Sequence, residues 1–174
     1  MPDGRILHGS HEGVQVLRYQ GEVRYTLCPA LDVLIQKLLS SEGLRGFVVD
    51  LTAVDAIDST NLGILARLTG IMQKRNLPKV TLVSSRPAIN EVVEGMGLEK
   101  VFHRVSESGV EIEKMREVPL ETPGDEDVPR LLIEAHRALM ALNERNRDQF
   151  RDVVKAFETE ADIKPPGTRS NHCL

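Results

Sequence analysis

Apolar positions along the chain alternate between two spacings. Residues 5 to 20 hold two short β-like runs, and Val14-Gln15-Val16-Leu17-Arg18-Tyr19 reads as a partly exposed strand. His11-Glu12-Gly13 forms the expected turn before it, and Gly21 the expected end. From Pro29 the positions Leu31, Leu34, Ile35, Leu38 and Leu39 recur at helical spacing, with Gly43 just past the end. Phe47-Val48-Val49-Asp50-Leu51 is short, β-branched and nearly all apolar, the pattern of a buried strand. A second helix is expected from near Ser59 to about Arg75, stopped by Asn76 and Pro78. Lys79–Val83 then reads as a strand, Pro87 to Gly97 as a helix, and Val101–Val105 as a last strand. Strands alternating with helices predict an α/β domain with parallel pairing at its centre, closing near residue 106.

Beyond residue 106 the pattern changes. Glu111, Glu113, Glu117, Glu121, Asp125, Glu126 and Asp127 face only Lys114 and Arg116, and Pro119, Pro123 and Gly124 interrupt the run. Residues 107–127 therefore read as an acidic linker, with a short strand at Val110-Glu111-Ile112. A long helical extension is expected over 128–162, and a flexible tail over 163–174 after Pro165-Pro166-Gly167. In the extension, Leu132, Ala135, Leu139, Leu142, Asn146, Gln149, Val153 and Ala156 follow a three-and-four spacing that suits a helix pair, with Asn146 able to set register. Equally, Leu131, Leu132, Leu139, Leu142, Phe150 and Phe157 suit docking onto the parent domain.

Composition narrows the function. The chain has 174 residues, 41% hydrophobic, with no Trp and a formal net charge of −4. One domain with an aliphatic core and an appendage fits that length. The negative balance argues against a nucleic-acid partner. No apolar run approaches a membrane span, and the expected location is cytoplasmic. Cys28 and Cys173 form no ligand or redox motif. His8 and His11 lack a third ligand, and His103, His136 and His172 are scattered, so neither a metal nor a cofactor is expected.

The remaining candidate chemistry lies between the strand ending at Leu51 and the helix near Ser59. Three acids, Asp50, Asp55 and Asp58, crowd this crossing. Either Asp58 or Ser59 can cap the helix, because each side-chain oxygen can accept an unpaired N–H of the first turn. That reading alone is structural. Two features add a functional one. The helix is apolar on more than one side, through Leu62, Leu65 and Met72 and through Ile64, Leu68 and Ile71, so a second face is left for a partner or another part of the fold. A phosphate on Ser59 would also be tolerated at a helix N-terminus. It would add roughly two negative charges without unfolding the domain, a switch by local electrostatics.

Val48-Val49-Asp50-Leu51 through Asp58-Ser59-Thr60-Asn61-Leu62-Gly63 resembles the core of the STAS domain of anti-sigma factor antagonists. Lys79–Val83, Pro87 and Gly97-Leu98-Glu99-Lys100-Val101-Phe102 are similar to that family's next strand, helix and closing segment, so the resemblance spans about residues 10–106. It implies a STAS-like mixed sheet with helices packed on it. It also implies that Ser59 is phosphorylated by an anti-sigma factor, a serine kinase of the histidine-kinase-like ATPase fold, and dephosphorylated by a serine phosphatase. The unmodified form would bind the anti-sigma factor and release the sigma factor. Asp58 would orient the hydroxyl, and Thr60, Asn61, Leu62 and Gly63 would lie in the partner surface. Asn61 stands where glycine is usual, and Gly21-Glu22-Val23-Arg24 replaces a common Gly-x-Leu-Asp, leaving Glu22 as the acid of that loop. A homodimer through the C-terminal helix is a further expected partner. The alternative reading is an accessory subunit of a transporter whose serine is not modified. A Ser59 hydrolase lacks both a Gly-x-Ser-x-Gly elbow and an evident base in the sequence, so no catalytic residue is expected.

Overall fold

The computed structural model describes residues 3–110, 112–120 and 127–163. Strands β1 (Arg5–His11), β2 (Val14–Val23), β3 (Gly46–Ile57), β4 (Thr81–Val83), β5 (His103–Val105) and β6 (Arg116–Glu117) form one sheet in the order β5-β4-β3-β2-β1-β6. β1 runs antiparallel to β2 and to β6, whereas β2, β3, β4 and β5 pair in parallel. The parallel centre follows from crossovers through α1 (Cys28–Leu39), α2 (Ser59–Lys74) and α3 (Pro87–Gly95). Alternation assigns the two sheet faces. Leu17, Tyr19, Phe47, Val49 and Leu51 join the main core with the helices, while Val16, Val48 and Val83 join a smaller cluster covered by Val110, Ile112 and Met115.

Three expectations change. Gly21 does not end β2: it takes a φ of 75° at a register shift against β3, and the strand continues to Val23. A glycine bulge lets the ladder resume, so the residue that reads as a stop is a kink. β3 runs six residues past Leu51, from Gly46 to Ile57, which spreads the three acids apart. The described edge strand after the domain is Arg116–Glu117; Val110 and Ile112 pack under the second face, and Glu111 between them lies outside the described residues.

The extension is a hairpin of two helices, α4 (Asp127–Met140) and α5 (Glu144–Ile163), in place of one long helix. Asn143 makes the break: its Oδ1 accepts the Asn146 N–H at 2.8 Å, starting a new helix. The apolar stripe docks onto the domain, with Leu131, Ala135, Leu139 and Phe150 inside the main core cluster. Asn146 is fully buried and donates through Nδ2 to the carbonyls of Met96 and Leu139, both at 2.8 Å. It ties the hairpin to the chain end of α3, while Gln149 is exposed. The acids Glu121, Asp125 and Glu126, Cys173 and the tail after residue 163 lie outside the described residues.

Candidate functional site

The site begins where β2 and β3 end. Glu22 and Val23 pair with Ala56 and Ile57, and the Asp58 N–H donates to the Val23 carbonyl at 3.1 Å. Asp58 is then in an extended conformation, and its Oδ1 accepts both the backbone N–H and the side-chain Nδ2 of Asn61, each at 2.9 Å. Asp58, not Ser59, is therefore the helix cap. Ser59 is the first helical residue, half-buried, and its hydroxyl is not needed to start the helix.

The other acids of the crossing are not near neighbours in function. Asp50 accepts from Arg18 at 3.2 Å and from Thr52 Oγ1 at 2.6 Å, on the sheet face that carries Val16 and Val48. Asp55 pairs with Arg86 at 2.7 Å, and Glu22 with Arg24 at 2.6 Å. The glutamate of the Gly21–Arg24 loop thus carries its own counter-charge.

Ser59 Oγ lies 3.0 Å from Nε2 of His136, on α4. The other ring nitrogen, Nδ1, lies 2.7 Å from the Leu132 carbonyl. A carbonyl only accepts, so Nδ1 carries a proton. In the neutral ring Nε2 is then the acceptor and the serine hydroxyl donates to it. The imidazole is buried and lies near the rings of Phe150 and Phe157, tilted against each, at centroid distances of 5.2 and 6.0 Å. A serine hydroxyl on a histidine nitrogen is one half of a nucleophile–base arrangement. The histidine's second partner here is a backbone carbonyl, and neither the groove of about 770 Å³ beside Gly70 nor the small recess near Leu120 is lined by Ser59.

Below Ser59, α4 lies along the Gly63 side of α2. A Cβ at Gly63 would collide with the Ala135 carbonyl, so only glycine allows this approach. One turn further, Arg67 donates to Glu134 of α4 at 2.5 Å and to Asp32 of α1. Arg130 of α4 lies 3.9 Å from Asp32 and 3.2 Å from Glu134. Asp58 and Asp32 also bear on the thiol of Cys28: burial first, and then these two carboxylates, push it well above its ordinary range. Cys28 is a closed core thiol.

The residues expected in the partner surface divide sharply. Asp58 and Glu22 are partly exposed, whereas Thr60, Asn61, Leu62 and Gly63 are buried. Leu62 belongs to the main core and Gly63 is covered by α4. Asn61 Oδ1 is buried without a hydrogen-bond partner among the described residues. His136, Glu134 and Arg67 were not singled out from the sequence. Among the described residues, no group of three His, Cys, Asp or Glu side chains could hold a metal, and no helix is long and apolar enough to cross a membrane.

A parallel-centred sheet that presents a capped helix start with a serine at its first position is the arrangement expected of a STAS domain. Residues 8–111 match the STAS domain model, and the chain belongs to that family. The structure is also similar to an anti-sigma factor antagonist from Mycobacterium paratuberculosis, with 28% identity and a TM-score of 0.50, over 60% of this chain and 87% of that one. The hairpin α4–α5 lies outside the family match.

Proposed function

We propose that the protein is a phosphorylation-gated anti-sigma factor antagonist. In its unmodified form it binds an anti-sigma factor or partner-switch kinase and so frees a sigma factor; phosphorylation of Ser59 ends that binding. The observation that carries this reading is the division of labour at α2: Asp58 caps the helix, and the Ser59 hydroxyl takes no part in capping, its partner being His136 of α4. A modification there costs the helix none of its own hydrogen bonds, and added negative charge is favoured at this end. Membership of the STAS family and likeness to a mycobacterial antagonist support the same reading. The partners are an anti-sigma factor or serine kinase of the histidine-kinase-like ATPase fold and a serine phosphatase, acting at a surface formed around Asp58, Ser59 and the Glu22 loop.

The test is incubation of the full chain with the kinase of its pathway and ATP, read by peptide mass spectrometry. Phosphate is expected on Ser59, with loss of kinase binding afterwards. Equal phosphate uptake by Ser59→Ala overturns the assignment.

A further inference from the structure

The face of α2 that starts at Ser59 continues through Gly63 and Arg67, one helical turn apart each time, with Ala66 and Gly70 beside them. Every one of these positions is small or polar. α4 supplies a matching helix: an acceptor nitrogen on His136 for the Ser59 hydroxyl, the small Ala135 against Gly63, and the Glu134 carboxylate for Arg67. At the far end, Asn146 and Asn143 reach the Met96 carbonyl at 2.8 and 3.4 Å. We infer that this face of α2 is an exchangeable helix-binding surface, that the chain's own α4–α5 hairpin occupies it in the closed state, and that the external partner displaces the hairpin with a helix carrying the same small-residue, acid and acceptor pattern.

Three observations argue for exchange over a permanent core. The hairpin lies outside the matched domain, which carries all the strands from β2 to β5. Its contacts with α2 include an ion pair and a hydroxyl–imidazole bond, groups that water re-satisfies on release. Beside them the hairpin buries Leu131, Leu139 and Phe150, an apolar layer that a displacing helix must replace. The closed hairpin is also incompatible with the modification. At 3.0 Å between Ser59 Oγ and His136 Nε2 there is no space for a phosphoryl group along that line. A kinase therefore acts on the released form, and occupancy of α2 by the hairpin holds the protein silent toward kinase and partner alike. Tethering makes the internal helix a strong competitor, because its effective concentration is on the order of millimolar. The inference rests on the proposed function for the identity of the incoming protein and for the modification of Ser59.

The test needs no pathway partner. The probe is a fluorescent synthetic peptide of residues 127–163. Ala135→Arg, in the full chain, places a long side chain against the Gly63 backbone and should release the hairpin. The expected result is at least ten-fold tighter peptide binding by Ala135→Arg than by the native chain, with an unchanged sheet signal in circular dichroism. A folded Ala135→Arg that takes up no peptide overturns the inference. A second measurement keeps the native interface: a site-specific protease sequence is placed within residues 121–126 and cut after folding. Exchange of the cut hairpin for labelled peptide, seen by size exclusion, supports the inference; unfolding of the rest of the chain on cutting overturns it. Failure of the phosphorylation reading is separately visible, as peptide exchange with no phosphate on Ser59.

Discussion

The two sides of α2 are built from different materials. Toward the sheet it presents Leu62, Leu65, Leu68 and Met72, each at most 1% exposed. Toward α4 it presents Ser59, Gly63, Ala66 and Arg67. Both sides are covered, the first by aliphatic side chains of α2 itself, the second by apolar side chains that the hairpin brings to it. An aliphatic side has nothing to gain from water and stays buried for as long as the domain is folded. A side of glycine, alanine, serine and arginine gives close approach and directional bonds, and the apolar surface lost on uncovering it is mostly that of Leu131, Leu139 and Phe150 on the hairpin. Burial alone does not identify a core. What the covering costs to remove decides whether a contact is architecture or a latch.

The sharpest way to break this comparison is to damage the inner side. Leu65→Ala removes a fully buried side chain from the layer between α2 and the sheet. The loss should be about 2–5 kcal/mol in denaturant unfolding, shared by domain and hairpin in one transition. A loss below about 1 kcal/mol would place the inner side in the same class as the outer one and remove the contrast.

Arg67→Ala strikes the outer side and should cost less, about 1–3 kcal/mol, because Asp32 loses its main donor while Arg130 remains nearby. The effect should shrink as salt is raised, since Arg67 and Glu134 are partly exposed. It should also appear mainly as faster hydrogen exchange in α4 and α5, with β3 unchanged. Equal loss of protection in β3 would mean that this ion-pair cluster holds the domain itself together.

The sheet and α2 were readable in the sequence because both rest on local periodicity. Phe47–Leu51 and Lys79–Val83 read as buried strands, and Asp58-Ser59 read as a cap followed by a helix. Two misreadings have the same root. Gly21 carries a local stop signal that the neighbouring strand β3 overrides by pairing past the bulge. The turn at Ala141–Asn143 has no Gly or Pro, and the heptad-like spacing runs through it unbroken; the available signal was Asn143 followed by the acid Glu144, a cap and a first-turn charge. The contact between Ser59 and His136 spans 77 positions, and no local spacing encodes it. His136 is one of three scattered histidines, and only the docking of α4 gives it a partner.

The smallest expected effect is also the most discriminating. Ser59→Ala removes a single hydrogen bond and leaves His136 Nε2 without its donor, a loss of about 0.5–1.5 kcal/mol. His136→Ala should cost more in total, because the imidazole also packs on Phe150 and Phe157. The informative quantity is the coupling in the double-mutant cycle, which cancels that packing loss. A positive coupling of about 0.5 kcal/mol or more, read from hydrogen exchange of α4 amides, means that the Ser59 hydroxyl helps to hold α4 in place. Zero coupling would leave α4 seated for reasons unrelated to Ser59. The hydroxyl and the cover would then be neighbours in space without being linked in energy. With coupling present, each event at Ser59 is felt by the hairpin, and by linkage each event at the hairpin is felt by Ser59.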